Sequence, residues 1–210
     1  MAELTQQKPT QPKPFQPKPR VLCICGSPRR GNSEAIITRL SEMLENKGVE
    51  SEIILLYEKN IERCDGCVEN CNKKLECNKS DDMQELYGKI KAASGLVFVV
   101  PSYFRMPPGI FKDFIDRCSV FYTAKADFSG KRAVVIAVGA DDVINVNMCL
   151  ANITENFCKA LGLPVIAAQS FRANSELGGN FNDIFENGLN PDINSDLEKM
   201  VQALVRSIAG

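Results

Sequence analysis

The stretch "CDGCVENCNKKLEC", Cys64 to Cys77, puts four thiols within fourteen positions, with two, three and five residues between successive cysteines. Thiolates are soft donors, and four of them interrupted by glycine and polar residues can wrap one compact centre. An all-thiolate set admits a [4Fe-4S] cluster or a structural zinc, and the same four residues can also stand as reduced thiols or a disulfide. Glu69, Lys73, Lys74 and Glu76, interleaved with them, read as solvated charges rather than ligands. The other five cysteines, Cys23, Cys25, Cys118, Cys149 and Cys158, sit mostly in apolar surroundings and read as small buried hydrophobes.

A second stretch, "VLCICGSPRRGNSEAI" from Val21 to Ile36, runs from an apolar segment through a Gly-Ser-Pro turn into an amphipathic pattern. Amide groups at a helix N-terminus and the positive end of its dipole suit an anion. The hydroxyls of Ser27 and Ser33, the Asn32 amide and the Arg29 guanidinium can complete a phosphate cradle. The loop is neither Gly-x-Gly-x-x-Gly nor a Walker loop. Arg29 follows Cys23 at the spacing of cysteine-dependent phosphatases, but "VLCIC" reads as continuous strand with Cys23 in its middle. Arg30 also stands where those enzymes place Ser or Thr.

Composition narrows the chemistry further. The 210 residues suffice for one domain with a sizeable core. The formal net charge of −1 offers no global basic field for nucleic acid or an anionic membrane. With no His, imidazole is excluded as base, acid or ligand, and so is any Ser-His or Cys-His nucleophile pair. No apolar leader opens the chain, and no run approaches the roughly 18 apolar residues of a bilayer span. The expected setting is therefore a reducing cytoplasm, where clustered cysteines bind metal more often than they pair.

The elements that must position these residues follow from periodicity. Residues 1–20, rich in Pro, Gln and Lys with the near-repeat "QPKPFQPKP", read as a disordered or polyproline-like arm. Residues 21–210 read as the folded domain. Apolar runs at Val21 to Cys25, Val49 to Leu56, Gly95 to Val100, Ala133 to Val138 and Leu163 to Ala168 read as buried strands. Helical patterns lie between and after them, over Ile36 to Leu44, Met83 to Ile90, Ile110 to Cys118, Met148 to Leu161 and Ser195 to Ile208. Five strands and five helices in βα order predict an α/β doubly wound parallel sheet, order 2-1-3-4-5, with helices on both faces. A ligand is expected at the carboxyl ends of strands one and three, where the winding reverses. Two long connections, the cysteine-rich insertion 61–81 and the segment from Ser170 to Ser195, follow strands and fall on that side.

"GSPRRGNS" after strand one, "PSYFRMPPGIFKDFIDR" after strand three, and the cysteine segment running into "DDM" together resemble the NADPH-dependent FMN reductase-like group of flavodoxin-like proteins. More narrowly, they resemble its iron-sulfur flavoproteins. The likeness covers roughly Val21 to Leu163 and implies a flavodoxin-like fold. It implies that Ser27, Arg29, Asn32 and Ser33 wrap the FMN phosphate, that Pro101, Ser102, Tyr103 and Phe104 line the isoalloxazine, and that Gly139 lies in a third flavin loop. Simple core packing is the rival reading for Tyr103 and Phe104. The likeness also implies a [4Fe-4S] cluster on Cys64, Cys67, Cys71 and Cys77, although the middle cysteine gap is one residue longer than the family's. Arg105 stands where the family commonly has a small residue, and "VGADDVINVNM" offers only Gly139 and Ala140 before two acids where a Gly-rich stretch is usual.

The activity implied is that of an oxidoreductase passing electrons between a low-potential donor, such as a ferredoxin-type protein, and an acceptor. FMN handles electrons singly or in pairs and a cluster one at a time, which favours iron-sulfur over zinc. A homodimer or larger assembly is implied as well. Two other functions stay open: a cluster-free flavin or quinone reductase taking hydride from NAD(P)H, and a non-enzymatic FMN-binding module.

Overall fold

The computed structural model describes residues 18–67, 69–173, 183–186 and 192–209. The N-terminal arm, through residue 17, and most of the connection after the last strand lie outside the described residues.

Five strands, β1 (Arg20–Cys25), β2 (Glu50–Leu55), β3 (Gly95–Pro101), β4 (Arg132–Gly139) and β5 (Val165–Arg172), form one parallel sheet in the order β2-β1-β3-β4-β5. The alternation of side chains along each strand divides the core into two layers. Leu22, Ile24, Leu96, Phe98, Val100, Ala133, Val135 and Ala137 face one layer. Helices α2 (Met83–Ala92), α3 (Gly109–Arg117), α4 (Ser119–Thr123) and α5 (Val143–Ala151) cover that side, the last continuing as a π-helical segment, Asn152–Cys158. Val21, Cys23, Cys25, Val97, Val99, Val134, Ile136 and Val138 face the other. There α1 (Asn32–Glu45) and α7 (Ile193–Ile208) pack, with the short α6 (Asp183–Glu186) beside them.

The expected strand order and two-sided helix covering are thus observed, with shifts that have physical causes. The edge strands β2 and β5 are half-buried rather than fully enclosed, since each has a single neighbour. β5 starts two residues later than expected and runs on to Arg172, because its pairing with β4 continues to Gly139. The helix expected from Met148 begins at Val143, and α4 was not anticipated. All five cysteines outside the insertion are free and buried, as expected.

Gly26, at the exit of β1, is set by packing. A Cβ built there would lie 2.6 Å from Cδ2 and 2.9 Å from Cγ of Phe111, a ring held in the core. Gly26→Ala is expected to cost about 1–3 kcal/mol through overpacking, read as a lower urea midpoint with an unchanged slope.

Candidate functional site

The carboxyl ends of β1, β3 and β4 meet at the point where the winding reverses. From β1 the chain turns at Gly26, whose amide donates to the Val99 carbonyl at 2.9 Å, so the first loop is tied to β3. The Ser27 hydroxyl donates to the Arg29 carbonyl at 2.6 Å and accepts from the Arg29 amide at 3.3 Å, closing a small turn. Ser27, Asn32 and Ser33 are buried, while Arg29 and Arg30 are exposed on the rim. No side chain caps α1 at Gly31, so the first-turn amides face the loop. Arg30 pairs with Glu34 at 3.5 Å, and the other Glu34 oxygen accepts from the Tyr57 hydroxyl at 2.9 Å.

Asn32 has a task that sequence reasoning missed. Its side-chain oxygen accepts the buried Ile184 amide at 2.9 Å, fastening α6 to the loop. No local pattern signals a contact 152 positions away. The phosphatase reading finds no support, because burial, with a smaller contribution from Glu45, pushes the Cys23 thiol up to about 12 in the middle of β1.

After β3 the chain makes a tight hairpin. Tyr103 and Met106 exchange backbone hydrogen bonds at 2.9 and 3.0 Å, and the two residues between them, Phe104 (φ 52°) and Arg105 (φ 65°), are both left-handed. That is the backbone of a turn normally given to Asn and Gly, and bulky residues in it are strained. Asn152, at the start of the π-helical segment, braces the turn by donating to Met106 Sδ at 3.2 Å and to the Met148 carbonyl at 2.9 Å. Phe104 is 101% exposed and Tyr103 41%, so neither is a core residue. The Ser102 amide donates to Val138 at 2.7 Å, joining this loop to β4. At Gly139 a Cβ would come within 2.7 Å of Val146 and 3.3 Å of the Ser102 Cβ, so the loops after β3 and β4 approach closely there. Ser102, Phe104, Arg105 and Asp141 line a cavity of about 450 Å³. The Asp142 amide and the Asn145 side chain, with Arg105 and Arg172 more remote, hold the Asp141 carboxyl below the ordinary range.

The cysteine segment is stitched shut at both ends. The Asp82 amide donates to the Asn60 carbonyl at 3.1 Å, and the Asn60 amide donates back to the Asp82 carboxylate at 2.8 Å. Asp81 accepts the Glu62 and Met83 amides at 2.8 and 3.1 Å and forms a forked ion pair with Arg117 of α3. Both side chains of that pair are enclosed, at 0% and 1% exposure. Within the loop the Thr123 hydroxyl of α4 donates to the Cys71 carbonyl at 3.1 Å, and the Cys67 thiol donates to Asn78 at 3.3 Å. Burial first, then the like charges of Cys67, Cys77 and Cys64, hold the Cys71 thiol above its ordinary value. Among the described residues no three His, Cys, Asp or Glu side chains converge tightly enough to hold one metal ion. Four soft donors in one closed loop nonetheless match the chemistry of an all-thiolate centre, which gathers its ligands as they lose their protons. Asp81 and Arg117 were not singled out from sequence. The available signal was the arginine three positions beyond Phe114 on the apolar side of a helix.

Residues 19–175 match the family model of the NADPH-dependent FMN reductases. An iron-sulfur flavoprotein of Archaeoglobus fulgidus is 34% identical over 155 residues, covering 73% of this chain and 78% of the relative. An iron-sulfur flavoprotein of Methanocaldococcus jannaschii is 30% identical over 163 residues, covering 77% and 81%. Among solved structures, RosB superposes with a TM-score of 0.70 at 18% identity, covering 91% of this chain and 79% of that one. An NAD(P)H:quinone oxidoreductase from Methanothermobacter marburgensis gives a TM-score of 0.62 at 18% identity, covering 87% and 96%. Sheet order, loop geometry and these likenesses converge: the chain belongs to the NADPH-dependent FMN reductase family, within its iron-sulfur flavoprotein group, and is an FMN-dependent oxidoreductase.

Proposed function

We infer that this protein is an electron carrier that pairs FMN with a [4Fe-4S] cluster and works between a low-potential donor and an acceptor. The observation that carries this reading is the closed loop bearing Cys64, Cys67, Cys71 and Cys77, pinned to α3 by the enclosed Asp81–Arg117 pair and to α4 through Cys71. Such a loop brings a fixed set of four soft donors to one body.

The first-turn amides of α1, the hydroxyls of Ser27 and Ser33, the nitrogen of the Asn32 amide and the Arg29 guanidinium would hold the FMN phosphate. Pro101, Ser102, Tyr103, Phe104 and Gly139 would border the ring, with the strained hairpin presenting Phe104 to it. When bound, FMN supplies one- and two-electron chemistry and the cluster one-electron chemistry, which together link partners of both kinds. The chain's own part is to hold both groups on one rigid sheet and to shield them from water. A ferredoxin-type donor, a homodimeric or larger assembly and a cytoplasmic setting complete the proposal; no helix among the described residues is long and apolar enough to cross a membrane.

Phe104 offers a direct check, since it makes no core contact. Phe104→Ala is expected to leave the unfolding free energy within about 0.5 kcal/mol of wild type and to weaken FMN binding by about 0.5–1.5 kcal/mol, the worth of an aromatic contact. Titration of apoprotein with FMN, followed by flavin fluorescence, reads the difference.

A second reading, a cluster-free reductase taking hydride from NADPH, is favoured by the description of the family itself. Anaerobic mixing separates the two. Rapid bleaching of bound flavin by NADPH alone supports the reductase; bleaching by reduced ferredoxin and not by NADPH supports the electron carrier.

A further inference from the structure

The cysteine loop leans on α4. Its short helical turn, Asn70–Lys74, packs against that helix, where the Thr123 hydroxyl donates to the Cys71 carbonyl at 3.1 Å. Between the turn, α4 and the end of the π-helical segment runs a groove of about 710 Å³, bordered by Asn72, Phe121, Tyr122, Lys125, Lys159 and Leu161. None of the residues assigned above to the flavin borders it.

The groove is cationic. Two lysines border it and no acid does. Lys91 stands beside it, its ammonium 5.9 Å from the centroid of the Phe121 ring, and Lys73 and Lys74 are exposed on the turn that carries Asn72. Of the acids at its margin, Glu69 pairs with Lys73 at 3.1 Å, Glu155 pairs with Lys159 at 3.3 Å, and Asp127 accepts the Ser129 amide at 2.9 Å. Glu76 lies past the left-handed Leu75, outside the turn. Lys74, Lys91 and Lys125 have no ion pair among the described residues. In a chain of formal net charge −1, unanswered lysines gathered around one groove are a local departure. Lys125 is also held against its backbone preference: it ends α4 with φ 49°, in a cap normally given to Gly or Asn. The helix dipole is a weak reason for a lysine there, since α4 has only 5 residues.

We propose that this groove docks the acidic face of a one-electron carrier protein, its lysines meeting surface carboxylates while Tyr122 and Leu161 supply apolar contact. The proposal rests on the electron-carrier reading above and names where that partner sits. A cationic rim around a small apolar floor suits a brief, electrostatically steered encounter. A second copy brought there about a two-fold axis would set these lysines against one another. A carrier docked in the groove lies against the loop that bears Cys71.

The test uses anaerobically purified holoprotein and a bacterial-type two-cluster ferredoxin as the acidic carrier. Wild type is compared with Lys74→Glu/Lys125→Asp, and with Lys47→Glu/Arg206→Glu as a control near the ends of α1 and α7, across the sheet. Both variants change the formal charge equally, and Asp tolerates the left-handed backbone at 125. Flavin bleaching by reduced ferredoxin is followed by stopped flow over a series of salt concentrations, with complex formation read in parallel by interferometry. At low salt the groove variant is expected to bind ferredoxin and to be reduced by it about tenfold or more slowly than wild type, with a shallower salt dependence. The control is expected to stay within about twofold. Reduction by dithionite, which needs no docking, is expected to be equal in all three. Equal ferredoxin rates in wild type and the groove variant, or an equal loss in the control, overturn the docking site alone. A wild-type dimer that dissociates in the groove variant during sedimentation, with ferredoxin rates unchanged, gives the groove to a second copy and overturns it too. Wild type that ignores ferredoxin and is bleached by NADPH overturns the electron-carrier reading, and the docking site with it.

Discussion

Asp81→Ala is expected to destabilise the protein by about 3–5 kcal/mol, the cost of leaving one member of a buried ion pair without its partner. The Arg117 guanidinium would keep only the Glu62 carbonyl, and the Glu62 and Met83 amides would lose their acceptor. The pH dependence should change as well. Burial works to raise the Asp81 carboxyl, but the Arg117 hydrogen bonds, the Glu62 amide, the Arg117 charge and the Met83 amide together hold it below the ordinary value. A carboxyl depressed in the folded state contributes stability above its unfolded value, roughly 3.9, and that contribution is lost as pH falls through the folded value. Wild type should therefore lose stability on acidification below about pH 4 more steeply than Asp81→Ala. Urea unfolding at a series of pH values measures both effects. A loss below about 1 kcal/mol at neutral pH would mean the pair contributes no more than an exposed one.

Ser33→Asp is expected to abolish FMN binding at micromolar flavin, with some loss of stability because Ser33 is buried. An acid in the first turn suits a helix N-terminus, so α1 itself should tolerate the change. The flavin phosphate would then meet a carboxylate instead of a hydroxyl. Like charges about 4 Å apart repel by roughly 4 kcal/mol at an effective dielectric constant of 20, about a thousandfold in affinity. Near-wild-type binding in this variant would place the phosphate elsewhere. Far-ultraviolet circular dichroism of the apoprotein guards against simple misfolding.

Much of this was legible from sequence because the signals are local. The apolar runs "VLCIC", "GLVFVV" and "AVVIAV" are buried on both faces of a parallel sheet, and their order along the chain dictates the winding. The four loop cysteines and the Ser27-to-Ser33 turn also announce themselves by residue type and spacing. What stayed hidden depends on distant partners. Asn32 reads as an anion ligand, yet its oxygen is committed to Ile184. The Phe104–Arg105 turn carries no Gly or Asn to betray its left-handed backbone, because strain there is borne by bracing from Met106 and Asn152. Arg117 hides in an apolar helix stripe, where only its pairing with Asp81, 36 positions earlier, explains it.

The central claim, that one chain carries both a flavin and an iron-sulfur centre, is tested most directly by quantifying FMN, iron and acid-labile sulfide in protein purified without oxygen. About one FMN with about four irons and four sulfides per chain is the predicted result, with the iron lost in Cys67→Ser. FMN without iron, even after anaerobic reconstitution, would contradict the account and return the protein to the hydride-accepting reductases.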